Sequence, residues 1–191
     1  MDDTPTDAPP TLSWPLGLAH SITVRPIRPE DVDLEVEFIR RLSPESIYNR
    51  VFSNSLALTP EWLEQLTRID FTRDMAIIAT VALDGRETQI GVARYARLPN
   101  ATRCEFAIAV ADQWHGCGIG VRLLGELIAI ASRSGITEIV GDALSTNVAM
   151  VALARKVGMG ILPHPEGATL RRLVLPIPQM TGTQTAQGVR V

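Results

Sequence analysis

A glycine-rich loop is the part of this sequence with the clearest chemical potential. The loop reads Gln113-Trp-His-Gly116-Cys-Gly118-Ile-Gly120 and lies between an apolar run and an amphipathic stretch. This order predicts a strand, a loop and the beginning of a helix. The first backbone N–H groups of a helix lack intrahelical partners and lie at the positive end of its dipole. Because three glycines in five residues also allow close approach to the backbone, we predict a phosphate-binding site here.

Two better-known phosphate-binding motifs do not fit this loop. A Walker loop is excluded because no Gly-Lys-Ser or Gly-Lys-Thr follows the glycines. A dinucleotide-binding fingerprint is disfavoured because the final x-x-Gly spacing is missing. The strands that precede the loop also indicate an antiparallel meander, whereas that fingerprint follows the opening strand of a doubly wound sheet. A plain strand-to-helix turn would need only one glycine, so anion binding is the favoured interpretation.

The same loop contains a histidine and a cysteine, which admit a second chemistry. A thiol at Cys117 would become a nucleophile if the imidazole of His115 and the helix dipole activated it. Residues so close together in a loop rarely face each other, and no third residue that would orient the imidazole is evident. We therefore interpret His115 as a phosphate neighbour or a surface residue, and we expect no covalent chemistry at Cys117.

One carboxylate upstream of the loop is the candidate for proton transfer. Alternation along its strand puts Glu105 on the same face as Ala107 and Ala109, while bulky residues share the other face. The two methyl-sized neighbours leave space for a ligand beside the carboxylate. A carboxylate in such semi-enclosed surroundings is suited to accept a proton near neutral pH. The structural alternative is an ion pair with Arg94 or Arg103.

The elements that position these residues follow a recognisable order. Strands are predicted at 21–27, 75–83, 89–97 and 103–110, with three helices opened by proline-containing caps at 29–31, 43–45 and 59–61. After the loop we predict a helix that ends at Gly135, a strand at 138–143, a helix at 147–157 and a strand at 169–175. Asp84-Gly85 indicates a hairpin turn, although the polar residues 86–88 suggest a longer loop. The order predicts an α/β fold with a mixed sheet flanked by helices.

Length and composition predict one domain with flexible ends. The chain has 191 residues, of which 46% are hydrophobic, enough for a sizeable core. We expect a flexible, proline-rich arm at 1–20, a single domain at 21–178 and a disordered polar tail at 179–191. The net charge of −3 offers no basic excess, so neither nucleic acid nor an anionic membrane is an expected partner.

Three further features favour the cytoplasm. The N-terminus is acidic and proline-rich, unlike a signal peptide, and no apolar run approaches the ~18 residues of a membrane span. Only two cysteines occur, Cys104 and Cys117. This spacing predicts neither a disulfide framework nor a metal site.

Two motifs resemble those of a known family. The pattern Gln113-x-x-Gly116-x-Gly118 resembles the Q/R-x-x-G-x-G/A signature of the GNAT superfamily of acyl-CoA-dependent N-acyltransferases. The segment Asn147-x-x-Met-x-x-Leu-Ala-x-x-x-Gly158-Met159 is similar to a downstream segment of that superfamily, N-x-x-A-x-x-x-Y-x-x-x-G-F. Residues 25–31, 41–48 and 105–112 also resemble the GNAT domain of bacterial protein lysine acetyltransferases of the Pat type. The resemblance covers about residues 21–175.

The resemblance implies a fold, a cosubstrate and a set of site residues. It implies the GNAT fold, with a mostly antiparallel sheet that contains a splayed parallel pair of strands. Acetyl-CoA would place its pyrophosphate on the loop amides and its pantetheine in the splay, with Asn147 near the pantetheine. Glu105 occupies the position of the Pat-type catalytic glutamate. The cofactor-binding residues expected in this way are Ala109, Val110, His115, Gly116, Cys117, Gly118, Ile119, Gly120 and Asn147.

The implied function is acetylation of a lysine on a protein, with acyl-CoA synthetases as the typical targets of the family. One departure is Ala154, where many GNAT enzymes carry a tyrosine as the acid for the departing thiolate; Pat-type domains look similar in lacking it. Two alternatives stay open: an acetyltransferase for a small amine or antibiotic, and a CoA-binding sensor or interaction module without turnover. The sequence also leaves open whether the chain acts alone or as a homodimer.

Overall fold

A computed structural model describes residues 8–16, 20–51, 58–99 and 102–178. The strands in these ranges are β1 (Leu12–Leu16), β2 (His20–Pro26), β3 (Asp74–Leu83), β4 (Arg86–Arg97), β5 (Arg103–Val110), β6 (Glu138–Leu144), β7 (Gly160–Pro163) and β8 (Leu170–Pro176). The helices are α1 (Val32–Arg40), α2 (Pro44–Val51), α3 (Pro60–Thr67), α4 (Ile119–Arg133) and α5 (Val148–Lys156). Two short 3-10 turns, Pro29–Asp31 and Asp112–Trp114, precede α1 and α4.

One mixed sheet contains all of these strands, in the order β1-β2-β3-β4-β5-β6-β8-β7. Neighbouring strands pair antiparallel except β5 and β6, which pair parallel. The parallel ladder pairs residues 103–105 only with residues 138–140, and beyond it β5 and β6 no longer pair with each other. This architecture confirms the predicted α/β fold, a mixed and mostly antiparallel sheet with a splayed parallel pair, flanked by helices.

Helices cover both faces of the sheet and divide its core in two. On one face α4 buries Leu123, Leu124 and Leu127 completely. On the other face the three N-terminal helices pack around Phe38. β3 supplies residues to both cores, which explains why its sequence is an almost unbroken apolar run. No helix in the described ranges has the length and apolar character needed to cross a membrane.

The strand β1 was not predicted. It lies within residues 1–20, for which a flexible arm was expected, and it pairs antiparallel with β2. Leu12, Trp14 and Leu16 are half-buried, while Ser13 and Pro15 are exposed, so the strand has the alternation of an edge strand. A proline is tolerated at a sheet edge, which is why its presence misled the interpretation. Residues 1–7 and 17–19 of that arm and the tail at 179–191 lie outside the described residues.

The turn between β3 and β4 is tighter than the sequence suggested. Asp84 and Gly85 form a two-residue connection, and Arg86 already pairs with Leu83. Both turn residues have positive φ, 48° and 75°, as the favoured hairpin turns require. The longer loop expected at residues 86–88 is therefore wrong. The short edge strand β7 was also missed.

Candidate active site

The splay between β5 and β6 opens directly after Glu105, which is the last β5 residue paired with β6. The N–H of Ala111 donates to the carbonyl of Ile90 at 2.9 Å. This hydrogen bond shows which residues of β5 direct their backbone N–H and C=O groups toward β4. Because polar backbone groups alternate in direction along a strand, Ile108 and Val110 turn theirs away from β4 and into the splay. The splay therefore offers backbone N–H and C=O groups to an extended ligand.

A close contact between Phe106 and Gly141 lies at the first unpaired position of the splay. A Cβ on Gly141 would lie 2.5 Å from Cε1 of Phe106, so the ring occupies the space that a side chain would fill. Phe106 is only 6% exposed, yet it borders the open end of the splay. Sequence reasoning had assigned no function to either residue.

Two glycines of the loop adopt backbone conformations that favour glycine. Gly116 and Gly118 have φ of +76° and +81°, a region that side chains disfavour, and a Cβ on either would meet nothing within 4 Å. The backbone conformation therefore favours glycine at both positions, and no other part of the described chain occupies the space of a side chain there. Gly120 differs, because a Cβ there would lie 3.4 Å from Leu153 of α5. Gly118 is the N-cap of α4, whose first-turn N–H groups face the loop.

A cavity of about 750 Å³ brings most of the expected cofactor-binding residues together. Its walls come from α2, the splay side of β5, the glycine loop and the beginning of α5. Of the residues expected from the sequence, it is lined by Ala109, Val110, His115, Gly116, Gly118, Ile119, Gly120 and Asn147. Cys117 does not line it.

The side chains of His115 and Cys117 do not form a catalytic pair. The Nε2 of His115 lies 2.8 Å from the carbonyl oxygen of Val110, which ties the loop back to β5. The exposed thiol of Cys117 lies 3.7 Å from the backbone oxygen of His115. This geometry agrees with the expectation of no covalent chemistry at Cys117.

Asn147 joins the cavity to the beginning of α5. Its side-chain oxygen accepts a hydrogen bond of 2.9 Å from the N–H of Met150, so it caps the helix while it lines the cavity. Ala154, at the position of the family tyrosine, is completely buried in the core and does not line the cavity. The structure therefore places no acid at that position.

Glu105 borders a second, smaller recess of about 250 Å³. Phe106 and Ala107 line both this recess and the larger cavity, so the two share a wall on β5. Within the described ranges Arg94 forms an ion pair with Glu35 and Arg103 forms one with Glu138, and no ion pair joins either arginine to Glu105. The Glu105 side chain is exposed, which corrects the expectation of semi-enclosed surroundings. The N-terminal helices pack on the same face of the sheet as Glu105, over Ala76, Val92 and Ala109.

A half-buried cation near Glu105 was missed by sequence reasoning. Arg50 projects from α2 and lines the larger cavity. Burial lowers the pKa of Arg50 to about 10, and the charge of Arg94 acts in the same direction. The carboxylates of Glu35 and Glu105 act in the opposite direction, which places both within electrostatic range of the guanidinium. Arg50 is therefore still cationic at neutral pH.

The position of α2 over the cavity is fixed by Asp112. Its carboxylate accepts hydrogen bonds from the N–H of Ser43 at 3.0 Å, the hydroxyl of Ser43 at 2.7 Å and the hydroxyl of Ser46 at 2.8 Å. Desolvation raises the pKa of Asp112, but these hydrogen bonds together hold it below its usual value. The network connects the residues just before the glycine loop to the first turn of α2.

Three features together define a class of protein, the acyltransferases that use an acyl-CoA. These are the splayed parallel strands, the loop at a helix N-terminus whose glycines have positive φ, and the cavity between them. Residues 21–160 match the sequence family described as the acetyltransferase (GNAT) domain. The chain belongs to the GNAT family of acetyltransferases, and its cosubstrate is acetyl-CoA.

Individual relatives agree with this assignment. The chain is 33% identical over 156 residues to acetyltransferase PA5475 of Pseudomonas aeruginosa, covering 81% of this chain and 84% of that one. It is 29% identical over 154 residues to acetyltransferase Pat of Mycolicibacterium smegmatis, covering 80% of this chain but only 45% of that one. Among solved structures, the GNAT domain of S. lividans PAT superposes with a TM-score of 0.78 at 25% identity, covering 87% of this chain and 96% of that one.

Proposed function

We propose that this enzyme acetylates a lysine side chain on a protein, with Glu105 as the general base. The observation that carries the proposal is the shared wall of Phe106 and Ala107. It places the recess beside Glu105 next to the larger cavity proposed to hold acetyl-CoA. An amine that enters from the recess would meet the thioester at the splay.

The proposed cosubstrate contacts follow from the cavity lining. The amides from His115 to Gly120 would bind the pyrophosphate, supported by the positive φ of Gly116 and Gly118. The pantetheine would extend along Ala109 and Val110 in the splay, and Asn147 would lie beside it. The empty space of about 750 Å³ between these elements is large enough to enclose much of such a ligand.

The chemistry requires one proton transfer before the amine can react. A lysine ammonium has a pKa of ~10.4, so it is protonated at neutral pH. Glu105 would accept this proton, directly or through a water molecule. The neutral nitrogen would then attack the thioester carbon and give its second proton to water. The C–S bond would break as the amide forms, and the CoA thiolate would take a proton from water. The N–H of Val110 would stabilise the developing oxyanion.

Two observations support a protein acceptor. Glu105 is exposed, so a side chain on the surface of another protein can reach it. Two of the similar proteins carry the name Pat or PAT, the group whose motifs this sequence resembles; acyl-CoA synthetases are the typical targets of that group. The size of the recess, about 250 Å³, also suits a small amine, and this is the second candidate.

We place the enzyme in the cytoplasm. The described residues include both cysteines, and each is a free thiol, Cys104 buried and Cys117 exposed. An exposed thiol persists more readily in a reducing compartment.

Glu105→Gln tests the enzymatic part of the proposal. The turnover should fall about 10²- to 10⁴-fold because the base is lost. The affinity for acetyl-CoA should not change, because Glu105 lines the recess and not the larger cavity. Glu37→Gln, at an exposed site on α1, is the matched control and should leave both quantities unchanged. Unaltered turnover in Glu105→Gln would exclude Glu105 as the base.

Transfer of a labelled acetyl group distinguishes the acceptors. Wild-type enzyme, acetyl-CoA and a cell lysate should give labelled protein bands whose modified residues are lysines. Labelled small amines with no labelled protein would establish the second candidate. Binding of acetyl-CoA without transfer to any protein or amine would indicate a sensor.

A further inference from the structure

A second carboxylate borders the recess beside Glu105. The register pairs Asp74 of β3 with Ala96 of β4, and Ala96 with Glu105 of β5. Side chains at paired positions lie on the same face of a sheet. Asp74 and Glu105 are therefore separated by two strand spacings, roughly 10 Å between their Cα atoms, with a methyl group between them. Both carboxylates line the same recess.

The charge of this recess is unbalanced. Among the described residues, neither the carboxylate of Asp74 nor that of Glu105 has a hydrogen bond or an ion pair. Arg94 is the cation that lines the recess, but Glu35 holds it at 3.1 Å and it also donates to the carbonyl of Leu66 at 3.2 Å. Arg50 lines the other cavity but lies within electrostatic range of Glu105, so the unbalanced negative charge of the recess is that of Asp74. The recess therefore favours a ligand with positive charge.

The other walls of the recess suit a long aliphatic cation. They include Ile69 and the methyl groups of Ala96 and Ala107, which share the Glu105 face of the sheet. Lysine and arginine bury their methylene stems along such surfaces while their charged ends reach polar groups.

We propose that Asp74 binds a second cationic group of the acceptor, so that the preferred acceptor is a dibasic segment. This inference rests on the proposed function. The lysine that reacts lies at Glu105, and another lysine or arginine contacts Asp74. The separation of roughly 10 Å corresponds to about three residues of extended chain. Because successive side chains of an extended chain alternate in direction, the second basic residue that faces the recess lies about two or four positions from the target lysine. Asp74 is a specificity-determining residue and takes no part in the proton transfer.

The test compares two peptides and two variants of the full chain. The peptides are identical except that one has arginine and the other has alanine two positions from a single lysine, on the same side of an extended chain. Asp74→Asn should raise KM about two- to fivefold for the arginine peptide, the range for a partly exposed ion pair, with kcat unchanged. KM for the alanine peptide should not change. Asp84→Asn, at the opposite end of β3 in the exposed turn, is the matched control.

Charge reversal keeps the test independent of a folding defect. Asp74→Lys should lose the preference for the arginine peptide and prefer a third peptide with glutamate at that position. Equal effects of Asp74→Asn on both peptides, or no effect on either, would overturn the inference while leaving the proposed function intact. Wild-type enzyme that acetylates no lysine peptide or protein would instead overturn the proposed function.

Discussion

The glycine at the N-cap of α4 allows a quantitative test of how the loop binds acetyl-CoA. Gly118 has φ of +81°, and a Cβ there would meet nothing within 4 Å. Gly118→Ala therefore introduces conformational strain without a steric clash. An L-residue in the left-handed region costs about 1–2 kcal/mol relative to the right-handed one. Gly135 ends the same helix with φ of +74° and equally open space, so Gly135→Ala is the matched control.

The strain in Gly118→Ala must appear in one of two measurements. If the loop keeps its conformation, the free energy of unfolding falls by about 1–2 kcal/mol, and Tm falls by about 2–4 °C for each kcal/mol. If the loop relaxes, stability is spared and acetyl-CoA must restore the conformation when it binds. The dissociation constant then rises about five- to thirtyfold. The loss of unfolding free energy and the loss of binding free energy should together amount to about 1–2 kcal/mol.

Thermal unfolding and calorimetric titration with acetyl-CoA measure the two quantities on the same samples. Gly135→Ala should lower Tm by a similar amount and leave the affinity unchanged, because its loop is at the other end of α4. The reasoning is refuted if Gly118→Ala matches the wild type in both measurements. It is also refuted if Gly135→Ala weakens acetyl-CoA binding as much as Gly118→Ala does.

Two further predictions concern the splay and the cysteines. Gly141→Ala should destabilise the enzyme by about 1–3 kcal/mol because its Cβ would lie 2.5 Å from Phe106. Added Phe106→Leu should restore part of the lost Tm, and no recovery would argue against this clash. At pH 8 a thiol reagent should modify Cys117 alone in the native enzyme and two cysteines after unfolding, since burial raises the pKa of Cys104 to about 12. Modification of Cys104 in the native enzyme at a rate similar to that of Cys117 would contradict the burial of Cys104.

Local sequence was sufficient wherever a few neighbouring residues decide the structure. The strand β5, the glycine loop and α4 were predicted in order because periodicity and glycine act within one element. The Thr59 cap was predicted for the same reason, and its hydroxyl accepts the N–H of Trp62 at 3.2 Å. The splayed parallel pair came from the resemblance of the loop motifs to a family, not from periodicity.

The charges around Glu105 depend instead on contacts between distant parts of the chain. Asp74 and Glu105 share a recess only because β4 pairs with both β3 and β5 in one register. Arg50 comes within range of Glu105 only because Asp112 holds the first turn of α2 against the glycine loop. Neither arrangement has a signal in the local sequence, where each residue looks like an ordinary surface charge.

The sequence by itself thus determined the loop, its helix and the strand that carries Glu105, because glycine conformation and side-chain alternation are properties of short segments. The tertiary structure alone decided the partners of Glu105, the recess beside it and the pairing of the edge strand β1. Strand register and helix placement are fixed by packing across the whole sheet, and a one-residue shift in register would move Asp74 to the opposite face.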